Sequence, residues 1–171
     1  AGMIPAVLYR DLANFVLVME HAPLDAKVWK QQLLAGEGDS DTAEQCGRIL
    51  GLIHEKTAQA SEAMSHFHDR AVFVQLRVDP FYRRSQQRHP DLAGVIEPLI
   101  EQLMTRSEAM CHGDFSPKNL LVSRQGVMLV DHETAHLGEP AMDLGFFFSH
   151  LLLKRIRTGD ANLFGSLIRS A

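Results

Sequence analysis

The chain has 171 residues, 46% of them hydrophobic and 22% charged, with a net charge of −4 at neutral pH. That is the composition of an ordinary globular protein, long enough for one domain with a sizeable core. The acidic balance argues against electrostatic binding of nucleic acid; the two cysteines, Cys46 and Cys111, are widely spaced and form no disulfide or metal pattern, and a reducing cytoplasm is the expected compartment.

The N-terminus has no basic region followed by an apolar core, so no signal peptide is expected. Residues 6–10 and 14–19 are apolar and rich in β-formers, and read as two strands. Pro23 opens a short helical segment to Leu34, followed by a polar loop over residues 35–40. Asp41 with Glu44 three residues later resembles a capping box. From there Ala43, Cys46, Leu50, Ile53, Thr57, Ala60, Met64 and Phe67 recur every three or four residues, the stripe of one long helix or of two helices broken near His54, with its seam toward the core. Residues 72–78 fit a strand and a helix equally. Pro80 and Pro90 bracket a basic stretch containing Arg83, Arg84 and Arg88, which reads as a solvated helix face. A helix is expected over 91–110, bent by Pro98. Two more, over 142–157 and 160–170, close the chain. Within the first of them lies the longest apolar run, residues 144–153, interrupted by Ser149 and His150 and too short to span a bilayer.

The most informative stretch lies between these helices. Cys111, His112, Gly113 and Asp114 are followed five residues later by Asn119, and an apolar segment then leads to Asp131. Residues 120–123 and 127–130 read as a hairpin around Arg124, Gln125 and Gly126. If Ser123 faces Val127, counting outward sets Asn119 opposite Asp131, at roughly 5 Å between Cβ atoms. An amide oxygen and a carboxylate at that separation can share a hard cation such as Mg²⁺, which takes few protein ligands and leaves the rest to phosphate and water. A carboxylate at Asp114 then stands where a phosphoryl-transfer site needs a group to orient a hydroxyl nucleophile. His-Gly-Asp with Asn five residues on arises by chance in about one chain of this size in a thousand, at residue frequencies near 5%.

These residues resemble the aminoglycoside phosphotransferase and choline kinase group, small-molecule kinases with a protein-kinase-like fold. The resemblance rests on His112-Gly113-Asp114 through Asn119, on Val130-Asp131-His132-Glu133, and on Gly138 to Gly145 with Asp143 inside it. It extends more weakly to residues 17–20, similar to the segment linking two lobes, and to 51–54, similar to a helix end in the large lobe. It implies an α+β fold, predominantly helical with short β-hairpins, in which most of the small lobe is absent. Residues 1–22 would supply the last small-lobe strands and the lobe link, and 23–171 the large lobe. Before Met19 the chain has a single glycine, Gly2, and no lysine, whereas the complete fold uses a glycine-rich loop and a strand lysine on the phosphates. A fragment or a truncated paralogue is therefore expected, one that also stops early at its C-terminus.

By the same resemblance Asp114 is the catalytic base, Asn119 and Asp131 are the Mg²⁺ ligands, and Asp143 is a buried brace for the catalytic loop. His112 would pin that loop, and Lys118 could reach the transferring phosphate. The backbone at Glu20, His21 and Ala22 would hold the base of ATP or GTP. The expected function is phosphoryl transfer from that nucleotide to a hydroxyl on a small molecule, with neither nucleic acid nor membrane as partner; the sequence does not define the oligomeric state or the acceptor. Gly113 stands where protein kinases carry Arg, and Asp131-His132-Glu133 where they carry Asp-Phe-Gly; both departures are usual among small-molecule kinases.

Two other readings differ in class. A kinase-like lobe without its phosphate loop and lysine could be a non-catalytic binding module. His132-Glu133-Thr134-Ala135-His136 also matches the zinc-hydrolase pattern, which needs both histidines on one helix face. An apolar strand leads into it, and Gly138 and Pro140 follow closely, so a helix is not expected there. His54, at the end of an apolar helix, reads as a packed, hydrogen-bonded histidine, and His66 and His68 as members of a polar face.

Overall fold

A computed structural model describes residues 2–58 and 64–171. The chain folds as two compact units. One holds Ala1–Ile49, Ser116–Val130 and Phe148–Ala171, the other Leu50–Phe115 and Asp131–Phe147.

In the first unit, β1 (Val7–Asp11) pairs antiparallel with β2 (Val16–Met19). The Asp11 carboxylate forms the turn between them by accepting from the Ala13 and Asn14 amides at 3.1 and 3.2 Å. A second sheet has the order β3-β5-β6, built from β3 (Lys27–Val28), β5 (Leu120–Ser123) and β6 (Gly126–Leu129), all antiparallel neighbours. Helix α1 (Trp29–Leu34) follows β3 directly. The segment expected to be helical from Pro23 thus begins as a turn, closed by the Ala26 amide on the Pro23 carbonyl at 2.8 Å, and a two-residue strand, too short to show a period of two. Helix α2 (Ser40–Thr57) starts in this unit. Its cap is Asp39, which accepts from the Thr42 amide at 2.8 Å and the Thr42 hydroxyl at 2.7 Å. This replaces the expected box at Asp41 and Glu44; Asp39 reaches the third residue along, the distance a cap requires. Trp29, Leu33, Ala43, Cys46, Leu120, Leu129, Phe164 and Leu167 are among this unit's buried apolar residues.

In the second unit, α3 (Ala71–Phe73) runs into a π-helical segment, Val74–Arg83, and then α4 (Arg84–Arg88). The ambiguous stretch 72–78 is thus helical. A short 3₁₀ turn, Pro90–Leu92, leads into α5 (Ala93–Thr105), and β4 (Ala109–Cys111) follows. The single helix expected over 91–110 therefore ends five residues early, releasing a strand that pairs antiparallel with β7 (His136–Gly138). Helix α6 (Pro140–Thr158) begins in this unit, and α7 (Ala161–Ser170) lies in the first. The core of the second unit is Phe73, Val78, Leu103 and Met142, flanked by Ile100, Met104 and Phe146.

Arg70 ties β7 to the end of α5: it donates to the Leu137 carbonyl from Nε at 3.0 Å and from Nη2 at 2.6 Å, to Ser107 Oγ at 2.8 Å, and to the carbonyls of Met104 and Arg106. Of the apolar stripe, Ala60 lies outside the described residues, and Phe67 falls in a 3₁₀ turn, Ser65–His68, which also carries His66 and His68.

Candidate active site

Strand β4 ends at Cys111 and delivers His112, Gly113 and Asp114 into a loop held from several sides. Asp143, in the first turn of α6 and fully buried, accepts from the His112 amide at 2.7 Å and from the Gly113 amide at 2.8 Å. A carboxylate receiving two backbone N–H groups makes the charge-assisted bonds that hold a loop most firmly. His54 Nε2 lies 3.2 Å from the same Asp143 oxygen. These are the bracing contacts expected of Asp143, and they make His54 the hydrogen-bonded histidine the sequence suggests. Thr134 Oγ1 donates to the His112 carbonyl at 2.9 Å. Gly113 adopts φ +77°, a left-handed conformation that glycine takes at no steric cost.

The Asp114 amide donates to His112 Nδ1 at 3.2 Å. That nitrogen must therefore be unprotonated, which fits a ring that fixes the loop. The Asp114 side chain is buried, and Arg77 Nη2 lies 2.6 Å from its Oδ2. Arg77 Nε also donates to the Gly113 carbonyl at 3.0 Å. Arg77 is absent from the sequence-level candidates. A lone arginine in a stretch of ambiguous period carries no local sign that it will be buried against a carboxylate 37 residues away.

Asn119 belongs to the first unit. Its backbone amide donates to the Ser116 carbonyl at 2.9 Å, and its carbonyl accepts from the Val130 amide at 3.0 Å. Position 119 is thus fixed by main-chain bonds at the open end of the β5–β6 hairpin. The ladder pairs Ser123 with Gly126 and Leu120 with Leu129. The register differs by one from the expected pairing of Ser123 with Val127, so Asn119 faces Val130, and Asp131 is the next residue along the chain. Gly126, with φ +114°, is the first residue of β6 and not part of the turn. Asp131, in the second unit, is exposed and adopts φ +71°, a left-handed conformation that is uncommon for a non-glycine residue, although Asp and Asn are enriched there. Lys118 is exposed. Glu20, His21 and Ala22 follow β2: the Glu20 amide donates to the Ala6 carbonyl at 2.8 Å, and His21 Nδ1 donates to the Ala22 carbonyl.

The zinc-hydrolase pattern does not form its helix. Residues 132–135 make a turn, and His136 lies in β7, where its ring stacks on Phe73 at 3.9 Å and Nδ1 donates to the Thr134 carbonyl at 2.9 Å. Burial lowers its pKa, which keeps the ring neutral. Among the described residues one group could gather metal-ligand atoms: His54, Cys111 and Asp143, within 4.8 Å of one another. Both Asp143 oxygens there already accept loop amides, and burial pushes the Cys111 thiol far up, so the group reads as a hydrogen-bonded junction. Its imidazole and thiol are not the hard oxygen donors that Mg²⁺ takes.

The fold is that of the protein-kinase-like small-molecule kinases. A choline/ethanolamine kinase family protein from Mesorhizobium loti superposes with a TM-score of 0.54 at 19% identity, covering 98% of this chain and 55% of that one. The chain belongs to the phosphotransferase enzyme family, whose pattern matches residues 15–164. It is 24% identical over 172 residues to methylthioribose kinase of Yersinia pestis strain Pestoides F, covering 86% of this chain and 42% of that kinase. To methylthioribose kinase of Escherichia coli O45:K1 it is 23% identical over 178 residues, again spanning 42% of the relative. The chain thus spans less than half the length of these kinases. Among the described residues, no helix is long and apolar enough to cross a membrane.

Proposed function

We propose that the protein carrying this chain transfers a phosphoryl group from ATP or GTP to a hydroxyl of a small molecule. The observation that supports this most directly is the braced loop. Asp143 fixes the His112 and Gly113 amides, and the residue that follows them is a buried carboxylate, Asp114. Asp114 would accept the proton of the acceptor hydroxyl. Asn119 and Asp131 would hold Mg²⁺, which when bound neutralises charge on the nucleotide phosphates. The donor set fits that ion: an amide oxygen and a carboxylate, both hard. His112 would hold the loop through Nδ1, and the exposed Lys118, between Asp114 and Asn119, would reach the transferring phosphate. Residues 1–22 serve as the last strands of a small lobe and the lobe link, with the nucleotide base against Glu20, His21 and Ala22, and 23–171 as the large lobe. The two methylthioribose kinase relatives make a neutral thio-sugar the first acceptor to try, ahead of choline, ethanolamine and aminoglycosides.

The test is phosphate transfer by the complete gene product across that acceptor panel, beside its Asp114→Ala variant. The expected loss in kcat is about 10²–10⁴-fold, the usual contribution of a positioned base. Nucleotide affinity should hold within a few fold, because the base acts on the acceptor. Equal turnover by the variant would remove Asp114 from the role.

A further inference from the structure

We infer that Arg77 is a positioning residue for the Asp114 carboxylate, an assignment that rests on the function proposed above. Its side chain is 11% exposed and that of Asp114 only 2%. A guanidinium withdrawn this far from water is costly unless its N–H groups and charge are matched. Here they are matched by the catalytic loop. Nη2 lies 2.6 Å from Asp114 Oδ2, Nε donates to the Gly113 carbonyl at 3.0 Å, and Nη1 donates to the Leu76 carbonyl at 2.7 Å. The guanidinium is thus anchored to its own segment on one side and to two consecutive loop residues on the other. The planar fork can reach a backbone carbonyl and a neighbouring carboxylate at once, whereas an ammonium is a point charge. The Phe146 ring lies 5.8 Å from the guanidinium carbon, and Phe146 packs edge-on against Phe81 at 6.3 Å.

The division of labour within the loop supports a specific role. Asp143 holds the amides of His112 and Gly113, and Thr134 holds the His112 carbonyl. Those contacts set the backbone, and the backbone alone leaves the χ angles of Asp114 open. Arg77 ties the carboxylate itself to a helical segment. That segment, Val74–Arg83, is π-helical, a form uncommon in proteins and frequent at functional sites. A carboxylate misplaced by even an ångström loses much of its value to an in-line transfer. Arg77 would therefore act through Asp114, without contact to the acceptor.

The test uses the complete gene product with Arg77→Lys, Arg77→Met, Asp114→Asn and the Arg77→Met/Asp114→Asn pair. A merely structural arginine would reduce the folded fraction and leave kcat per folded molecule unchanged. The positioning role predicts a loss in kcat of about 10²-fold in Arg77→Met, with nucleotide KM within about threefold. It also predicts that adding Arg77→Met to Asp114→Asn lowers kcat by less than about threefold further, since the two act as one unit. Arg77→Lys keeps the charge and should fold even if Arg77→Met does not; it should still lose at least about tenfold in kcat, because the fork is gone. Amide exchange over residues 111–115, followed by mass spectrometry, should quicken in either variant. Wild-type kcat per folded molecule in both variants, or fully multiplying effects in the pair, overturns the assignment. If the wild-type protein phosphorylates nothing in the panel, the proposed function fails. The positioning assignment falls with it, and faster exchange at 111–115 in the variants would then show only that Arg77 holds the loop.

Discussion

Two hairpins in the first unit carry nearly the same sequence signal and meet opposite fates. Strands β1 and β2 are apolar, short and joined by a tight turn, and so are β5 and β6. Yet Val7, Leu17 and Met19 are 58%, 56% and 50% exposed, while Leu120 and Leu129 are both at 0%. The β5–β6 pair gains a third strand, β3, along the β5 edge, and its apolar side chains reach the core. The β1–β2 pair stands as a sheet of two, and such a ribbon is marginal without a covering layer. An apolar, β-rich run therefore reports that a strand forms, and burial depends on what else the chain brings to its faces.

The sharpest way to break this comparison is to truncate one side chain in each hairpin. Leu129→Ala should cost about 2–5 kcal/mol in chemical denaturation, the range for a fully buried leucine whose cavity cannot collapse. If it costs less than 1 kcal/mol, on the order of a surface change, β6 is not a core strand. A second measurement probes the buried side of the same unit. Lys154 in α6 is 7% exposed, its ammonium donating to the His150 carbonyl at 3.1 Å. Burial is the main cause that lowers its pKa, to about 8, with Lys30 adding to it. The unfolded chain then binds the extra proton between about pH 8 and the ordinary lysine value near 10.4, so stability should rise with pH across that window. Lys154→Met should remove the rise and stabilise the protein at pH 7 by about 1–2 kcal/mol. A wild-type stability that falls over the same window would show that the charged form is favoured. The smallest effect belongs to the exposed hairpin. Leu17→Ser should change stability by no more than about 0.5 kcal/mol; a larger loss would mean that β1–β2 is covered in solution.

Much of the architecture was open to a reader of the sequence, through periodicity and punctuation. The strands at 6–10 and 14–19 and the hairpin after Asn119 appear within a few residues of their expected bounds, and the helix after residue 40 starts just before the stripe but ends at Thr57, ten residues before the stripe's last member, Phe67. The expected brace at Asp143 appears as two hydrogen bonds to loop amides. What escaped is what depends on distant partners. The hairpin register slipped by one because Gly126 signals a special backbone angle without saying whether the turn or the ladder uses it. Residues 72–78 were ambiguous because a π-helix matches neither the 3.6 nor the 2.0 period. Strand β4 was hidden because its three residues, Ala109–Cys111, are too few to show a period of two, and the polar residues 105–108 before them carry no Gly or Pro to mark the end of α5. Arg77 was invisible because burial of a charge is decided by its partner, and Asp114 is far away in sequence.

Gly113 has an evolutionary consequence. A Cβ placed there would come within 2.6 Å of the Thr134 backbone carbonyl and 2.9 Å of its hydroxyl, and the φ of +77° already disfavours one. Thr134 cannot simply withdraw, because its hydroxyl bonds to the His112 carbonyl of the same loop. The arginine that protein kinases carry at this place is therefore out of reach by single substitution. The loop and the turn that carries Thr134 would have to change together for any side chain to stand at position 113.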